Sequence, residues 1–299
     1  MKPISLFLLI ATITNLACTH PQKNKISGSD STQPTLVEQP IRNNEDSLKE
    51  ISCLPISFEK WDTTILYKMD ALNPNSPCLT AEISLERASG NPAKVQSMNT
   101  IILQSAIQPI SSSPNANLQE WLTQLRNDYY ALQTDYFQDT AEGDTPTWYN
   151  HAFEIKGKNY QGHPSTINYI TDSYSYTGGA HGSYFTTLLN FDRSSGQIIK
   201  LSDVFQENSA KQLANRIRLF LGKQLNKKTT QEINEYGYFN IEDLSPTENF
   251  LLEKDSIVFL YNIYEIAPYA LGQTRIAINY NDLKDILSAP WKKRMEQSQ

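Results

Sequence analysis

The chain has 299 residues, 26 basic against 32 acidic side chains, a net charge of −6 and three cysteines. This balance disfavours a nucleic-acid partner, which needs a basic face to displace counterions. It suits either a cationic protein partner or plain solubilising surface.

The N-terminus reads as an export signal. Lys2 gives a short positive start, and Ile4 to Ile13 form an apolar run well below the roughly 20 residues that span a bilayer. Asn15-Leu16-Ala17-Cys18 sets a small residue before a cysteine, although Asn15 replaces the usual aliphatic residue. Residues 1–17 are therefore expected to be a lipoprotein signal peptide, cut before Cys18, whose thiol carries the lipid. An ordinary secretory leader with an incidental cysteine is the alternative. The expected place is the cell envelope, on the outer side of the cytoplasmic membrane or in the outer membrane. Residues 18–50 are polar with scattered proline and cannot bury enough apolar surface to offset ordering, which predicts a flexible tether reaching about 30 Å. Lipidation of Cys18 leaves Cys53 and Cys78, an even pair that predicts a disulfide in an oxidising compartment. Two buried thiols are the other reading.

In the body, Cys53 to Lys68 and Cys78 to Arg87 read as strands joined through the turn-forming Asn73-Pro74-Asn75-Ser76-Pro77, a hairpin whose outer ends the disulfide would tie. Helical spacing follows at Val95, Met98, Ile101, Ile102 and Ser105, and again at Leu118, Trp121, Leu122, Leu125, Tyr129, Leu132 and Tyr136. Strands recur at Trp148 to Lys158, Ser165 to Tyr176 and Ser183 to Phe191, connected closely enough to predict a meander, with Ile198 to Leu201 after the next turn. A helix capped at Asn208 or Ser209 carries Leu213, Ile217, Phe220, Leu221 and Leu225. Strands at Phe250 to Leu252, Ser256 to Tyr261 and Arg275 to Tyr280 complete the pattern, before a short helix through Leu283 and Ile286. The expected class is α+β: antiparallel sheets packed with amphipathic helices, in two packed subdomains of residues 51–150 and 151–290.

Three segments carry a family pattern. Tyr176-Thr177-Gly178-Gly179-Ala180-His181-Gly182 is followed by Leu189-Asn190-Phe191-Asp192 and Gly196 to Phe205, and later by Tyr264-Glu265-Ile266-Ala267-Pro268-Tyr269-Ala270-Leu271-Gly272. In this the C-terminal part resembles the extracellular domain of the RsiV anti-sigma factors, shared with PdaC-type peptidoglycan deacetylases. Cys53 to Asn150 resembles, more weakly, the domain that precedes it in both. The chain has neither a deacetylase domain nor the cytoplasmic segment of the anti-sigma factors, so neither role carries over. The resemblance implies the extracellular function, recognition of a lysozyme-like protein.

No catalytic residues and no cofactor are predicted. His181 lacks a nucleophile at a diagnostic spacing and reads as a structural or hydrogen-bonding side chain. His151, His163 and His181 lie near adjacent strands, but no ligand spacing supports a metal. Glu154, Asp172 and Glu265 fit a glycosidase only if their separation does. The partner-binding candidates are Tyr176, Gly178, Gly179, His181, Gly182, Tyr264, Glu265, Pro268 and Tyr269. For Tyr264 to Gly272, a crossover whose tyrosines finish the core stands beside a surface loop of aromatic anchors. The first functional reading is a membrane-anchored, non-catalytic binding module for a lysozyme-like or other cell-wall protein. A cell-wall hydrolase or esterase and a structural envelope lipoprotein are the alternatives.

Overall fold

A computed structural model describes residues 56–112, 117–143 and 147–296. The expected signal peptide, the whole of the expected tether with Cys18, and Cys53 lie outside the described residues.

Strands β1 (Ser57–Lys68) and β2 (Cys78–Ser89) form the expected antiparallel hairpin. Its register places Cys78 opposite Lys68 and Ser57 opposite Ser89, about 36 Å apart along the strand. The predicted Cys53–Cys78 bond falls on Cys53, which lies outside the described residues.

After β2 the chain crosses through helices α1 (Pro92–Ile107), α2 (Leu118–Ala131) and α3 (Gln133–Ala141). Asn91 starts α1 by accepting the Ala93 N–H, with Pro92 in the first turn. Asn117 and Glu120 form a reciprocal capping box on α2. The single helical stripe read from Leu118 to Tyr136 is thus two helices, separated at Leu132. This long crossover returns the chain in the same direction, so β3 (His151–Tyr160) pairs parallel to β2, an arrangement a hairpin cannot produce. Trp148 and Tyr149 sit in a 3-10 turn that precedes β3. β4 (Thr166–Tyr176) and β5 (Ser183–Asp192) then complete the antiparallel meander, giving a sheet of order β1-β2-β3-β4-β5. The sheet takes strands from both sides of residue 150.

One face of this sheet carries Leu79, Ala81, Ile83, Leu85, Phe153 and Ile155, and packs on Trp121, Leu125 and Tyr129 of α2. These tyrosine and tryptophan side chains are buried, as core residues should be. The helices α4 (Leu201–Val204), α5 (Ala210–Leu225) and α6 (Thr230–Glu235) lead to a second, antiparallel sheet, β6 (Phe250–Leu252), β7 (Ser256–Tyr261) and β8 (Thr274–Asn279). A final helix, α7 (Ala289–Glu296), buries Trp291. The second sheet is apolar on both faces. Phe250, Leu252, Ile257, Phe259, Ile276 and Ile278 join Leu213, Ile217 and Leu221 of α5 in the largest core. Leu251, Val258 and Leu260 turn the other way, onto Leu188 and Ile170 of the first sheet. The α+β class with sheets and amphipathic helices is the observed one.

Candidate functional site

The second sheet covers only part of the first sheet's outer face. Register puts Asn168, Ile170, Asp172, Tyr174 and Tyr176 of β4 on that face in succession. Asn168 and Ile170 are under the second sheet, as are their partners Asn190 and Leu188. Beyond the cover the face stays open. There, Glu154, Tyr174 and Tyr184 stand side by side on β3, β4 and β5, and Lys156, Asp172 and Thr186 form the next row. A cleft of about 500 Å³ lies over this grid, and Ile263, Tyr269, Gly272 and Gln273 from the β7–β8 connection form its far wall.

Polar groups within the cleft are tied to one another. Lys156 pairs with Glu154. Thr186 donates its hydroxyl to Asp172 Oδ1 at 2.6 Å. Gln273 Nε2 donates to Asn262 Oδ1 at 2.8 Å, the oxygen that also accepts the Thr186 N–H at 2.8 Å. Asn262 is buried, and with Asn249 it satisfies the outer edge of β5: Asn249 takes the Leu188 N–H at 2.7 Å and donates to Thr186 O at 2.9 Å. These asparagines replace the neighbouring strand that β5 lacks at its outer edge.

Aromatic rings gather at the mouth. Tyr174 and Tyr184, cross-strand partners, have centroids 4.6 Å apart. Burial first, then the neighbouring Tyr184, Tyr176, Tyr269 and Glu154, push the Tyr174 phenol above its ordinary value. His181 stacks on Tyr269 with centroids 4.1 Å apart and 26° between planes, and Tyr264 leans on Tyr269 at 6.1 Å. The two separate motifs seen in the sequence are therefore one place in the fold.

The β4–β5 turn explains its glycines. Gly178 and Gly179 have φ of +89° and +93°, which side chains rarely adopt. Tyr176 closes the turn by donating to Gly179 O at 3.1 Å. Gly182 is buried directly against the Tyr174 ring, where an added Cβ would collide. His181 is exposed and its Nδ1 lies 3.2 Å from Gly182 O. The glycines thus shape the turn that presents His181.

The β7–β8 connection divides the two readings of Tyr264 to Gly272 residue by residue. Ile266 and Ala267 enter the core, whereas Tyr264 is 56% exposed and Tyr269 and Pro268 are half-buried. Tyr264 also holds φ +67°, and among the described residues the other non-glycine residues with positive φ are the asparagines 208, 226 and 240. A large exposed ring in this conformation costs roughly 1–2 kcal/mol with no core burial in return. Glu265 is exposed, and its Oε2 accepts the Asn262 N–H at 2.9 Å, closing the turn.

The other described histidines stand elsewhere. His151 lies against Tyr129, centroids 5.2 Å apart. His163 is buried between Tyr280 and Trp291. Among the described residues, no group of three or more His, Cys, Asp or Glu side chains is placed to hold a metal, and no helix is long and apolar enough to cross a membrane. Sequence reading missed Tyr174, Tyr184, Asn262 and Gln273. The alternation in β4 was the available signal for Tyr174, but nothing local announces Asn262.

Residues 202–281 match the model of the family described as a protein of unknown function, DUF3298. The chain carries a DUF3298 domain. It is similar to the peptidoglycan-N-acetylmuramic acid deacetylase PdaC of Bacillus subtilis, 28% identical over 126 residues, which is 41% of this chain and 26% of the deacetylase. The chain thus spans about a quarter of that enzyme's length. A crystal structure of a DUF3298 family member from Bacteroides fragilis superposes with a TM-score of 0.66 at 27% identity, covering 82% of this chain and 98% of that one. A second, from Pseudomonas aeruginosa, gives a TM-score of 0.56 at 16% identity, over 79% and 96% of the chains, and bears on the fold alone. The matched family residues include β6, β7, β8 and the β7–β8 connection that forms the far wall of the cleft.

Proposed function

We propose that this protein is a cell-envelope lipoprotein, anchored by lipid on Cys18, whose body binds a lysozyme-like or other cell-wall protein without catalysis. The observation that carries this reading is Tyr264, an exposed aromatic ring held at φ +67° beside the His181–Tyr269 stack. Strained, exposed aromatic residues on a rigid scaffold are what a binding surface needs and a core does not. The similarity to a peptidoglycan deacetylase supports a place at the cell wall. The net charge of −6 favours encounter with a cationic protein, and such steering weakens with salt.

The test is calorimetry of the full-length protein with several purified lysozymes at low salt, together with a wall-digestion assay. Heat of binding with inhibition of digestion, reduced in Tyr264→Ala, is the expected outcome. No heat and no inhibition with any lysozyme would remove this partner class. The anchor is tested by palmitate labelling, expected in the wild type and lost in Cys18→Ala.

A further inference from the structure

We propose that the cleft beside this surface is a saccharide-binding site, taking a short stretch of an uncharged polyhydroxylated chain along β4. It does not depend on a protein partner for the Tyr264 surface, although Tyr269 borders both.

The argument begins with register. Tyr176, Tyr174 and Asp172 follow one another on the open face of β4, and alternate residues along a strand are about 6.7 Å apart. The line from Asp172 and Tyr174 in the cleft to Tyr176 just beyond it is therefore roughly 13 Å long, the length of a di- or trisaccharide. A volume of about 500 Å³ suits such a ligand.

The chemistry of the lining selects among ligands. A sugar ring has an apolar face of C–H bonds and an equatorial rim of hydroxyls. The cleft offers aromatic faces from Tyr174, Tyr184 and Tyr269, with Tyr184 53% exposed. It offers acceptors from Glu154, Asp172 and the Gln273 amide oxygen and a donor from Lys156. A cationic side chain would be met by Lys156 as well as by the carboxylates, and an anion would be met by Glu154 and Asp172. Charges of both signs, already paired with neighbours, favour a ligand that both gives and takes hydrogen bonds and carries no net charge. The polar groups are also fixed before any ligand arrives, since Thr186 holds Asp172 and Asn262 holds Gln273. Such preorganisation lowers the entropic cost of binding.

Two glycan sources share this chemistry, an amino-sugar chain like that of the cell wall and a plain hexose polysaccharide. Titration of the full-length protein with the N-acetylglucosamine trimer and, separately, with cellotriose distinguishes them. Saturable binding of either trimer is expected, weakened about ten-fold or more in Tyr184→Ala. Asp172→Asn is also expected to weaken it. Phe137→Ala, an exposed ring on α3, is expected to leave it unchanged. Thermal melting keeps the reading clean, because an exposed Tyr184 and a conservative Asp172→Asn should each melt like the wild type. Failure of both trimers to bind, or equal binding by Tyr184→Ala, overturns the inference. So does binding of arginine amide at this cleft in place of both sugars. Loss of saccharide binding with lysozyme binding retained rejects only the saccharide site. The reverse result rejects only the proposed protein partner.

Discussion

Asn168 Nδ2 donates to Asn190 Oδ1 at 2.8 Å beneath the second sheet, and both side chains are buried. Around this pair the amides reach the backbone of β6: Asn168 donates to Leu252 O at 3.0 Å, Asn190 donates to Phe250 O at 2.8 Å, and Asn190 Oδ1 accepts the Leu252 N–H at 2.8 Å. Two sheets without shared strand pairing are thus joined by side-chain amides that imitate a peptide. In Asn190→Ala, the amide of Leu252 and the carbonyl of Phe250 lose these partners while remaining buried. The expected loss is about 3 kcal/mol, measured as a lower urea midpoint, with the far-ultraviolet spectrum retained.

Tyr264→Gly separates strain from function. Glycine accepts φ +67° freely, so the variant should be as stable as the wild type or gain about 1 kcal/mol. Lysozyme binding should nevertheless weaken by roughly 1–3 kcal/mol if the ring is an anchor. A lowered melting temperature would place the ring in a structural role instead.

Tyr269 should behave differently from Tyr264, because it is half-buried and stacked on His181. Tyr269→Ala is expected to cost about 1 kcal/mol or more of stability, as well as binding at both surfaces. His181→Phe, which keeps a planar ring on Tyr269, should preserve stability, as thermal melting will show.

Asp192 makes the fold acid-sensitive. Burial raises its carboxyl, but hydrogen bonds from Ser194 and Ser195 and the Arg294 ion pair outweigh it and hold the group well below the carboxylate range. A depressed acid adds stability that is fully present above its unfolded value near 3.8 and is lost as pH falls through the folded value. Chemical melts below pH 4 should therefore steepen in the wild type and flatten in Asp192→Asn. At neutral pH that variant should be less stable by about 1–3 kcal/mol.

Two histidines act at milder pH. Burial lowers His151, and burial with Arg294 lowers His163, against a smaller opposing effect of Asp255. Each favours the neutral folded state, so stability is present above the ordinary value near 6.5 and declines as pH falls towards the folded values. The slope is at most about 1.4 kcal/mol per pH unit for each histidine. His151→Phe, which keeps a ring against Tyr129, should remove its share of the slope below about pH 6.5.

The sequence by itself determined what depends on neighbours along the chain. The β1–β2 hairpin, the meander and the core stripe of Trp121, Leu125 and Tyr129 were legible because side-chain period and turn chemistry are local properties. The Gly178–Gly182 turn and Tyr264 to Gly272 also stood out as motifs, but nothing local brings them together. Only tertiary structure decided that the three-helix crossover sets β3 parallel to β2, since direction depends on where the chain returns. It also decided that the second sheet stops short of Asp172 and Tyr174, leaving an open cleft on a face that alternation alone marks as half-polar. Asn168, Asn190, Asn249 and Asn262 look like loop-formers or misplaced strand residues in sequence. They become joints because each finds backbone groups 60 or more residues away, at separations that no local pattern encodes. The positive φ of Tyr264 has the same origin: its own side chain disfavours it, and the turn closed by Asn262, Glu265 and Ala267 imposes it.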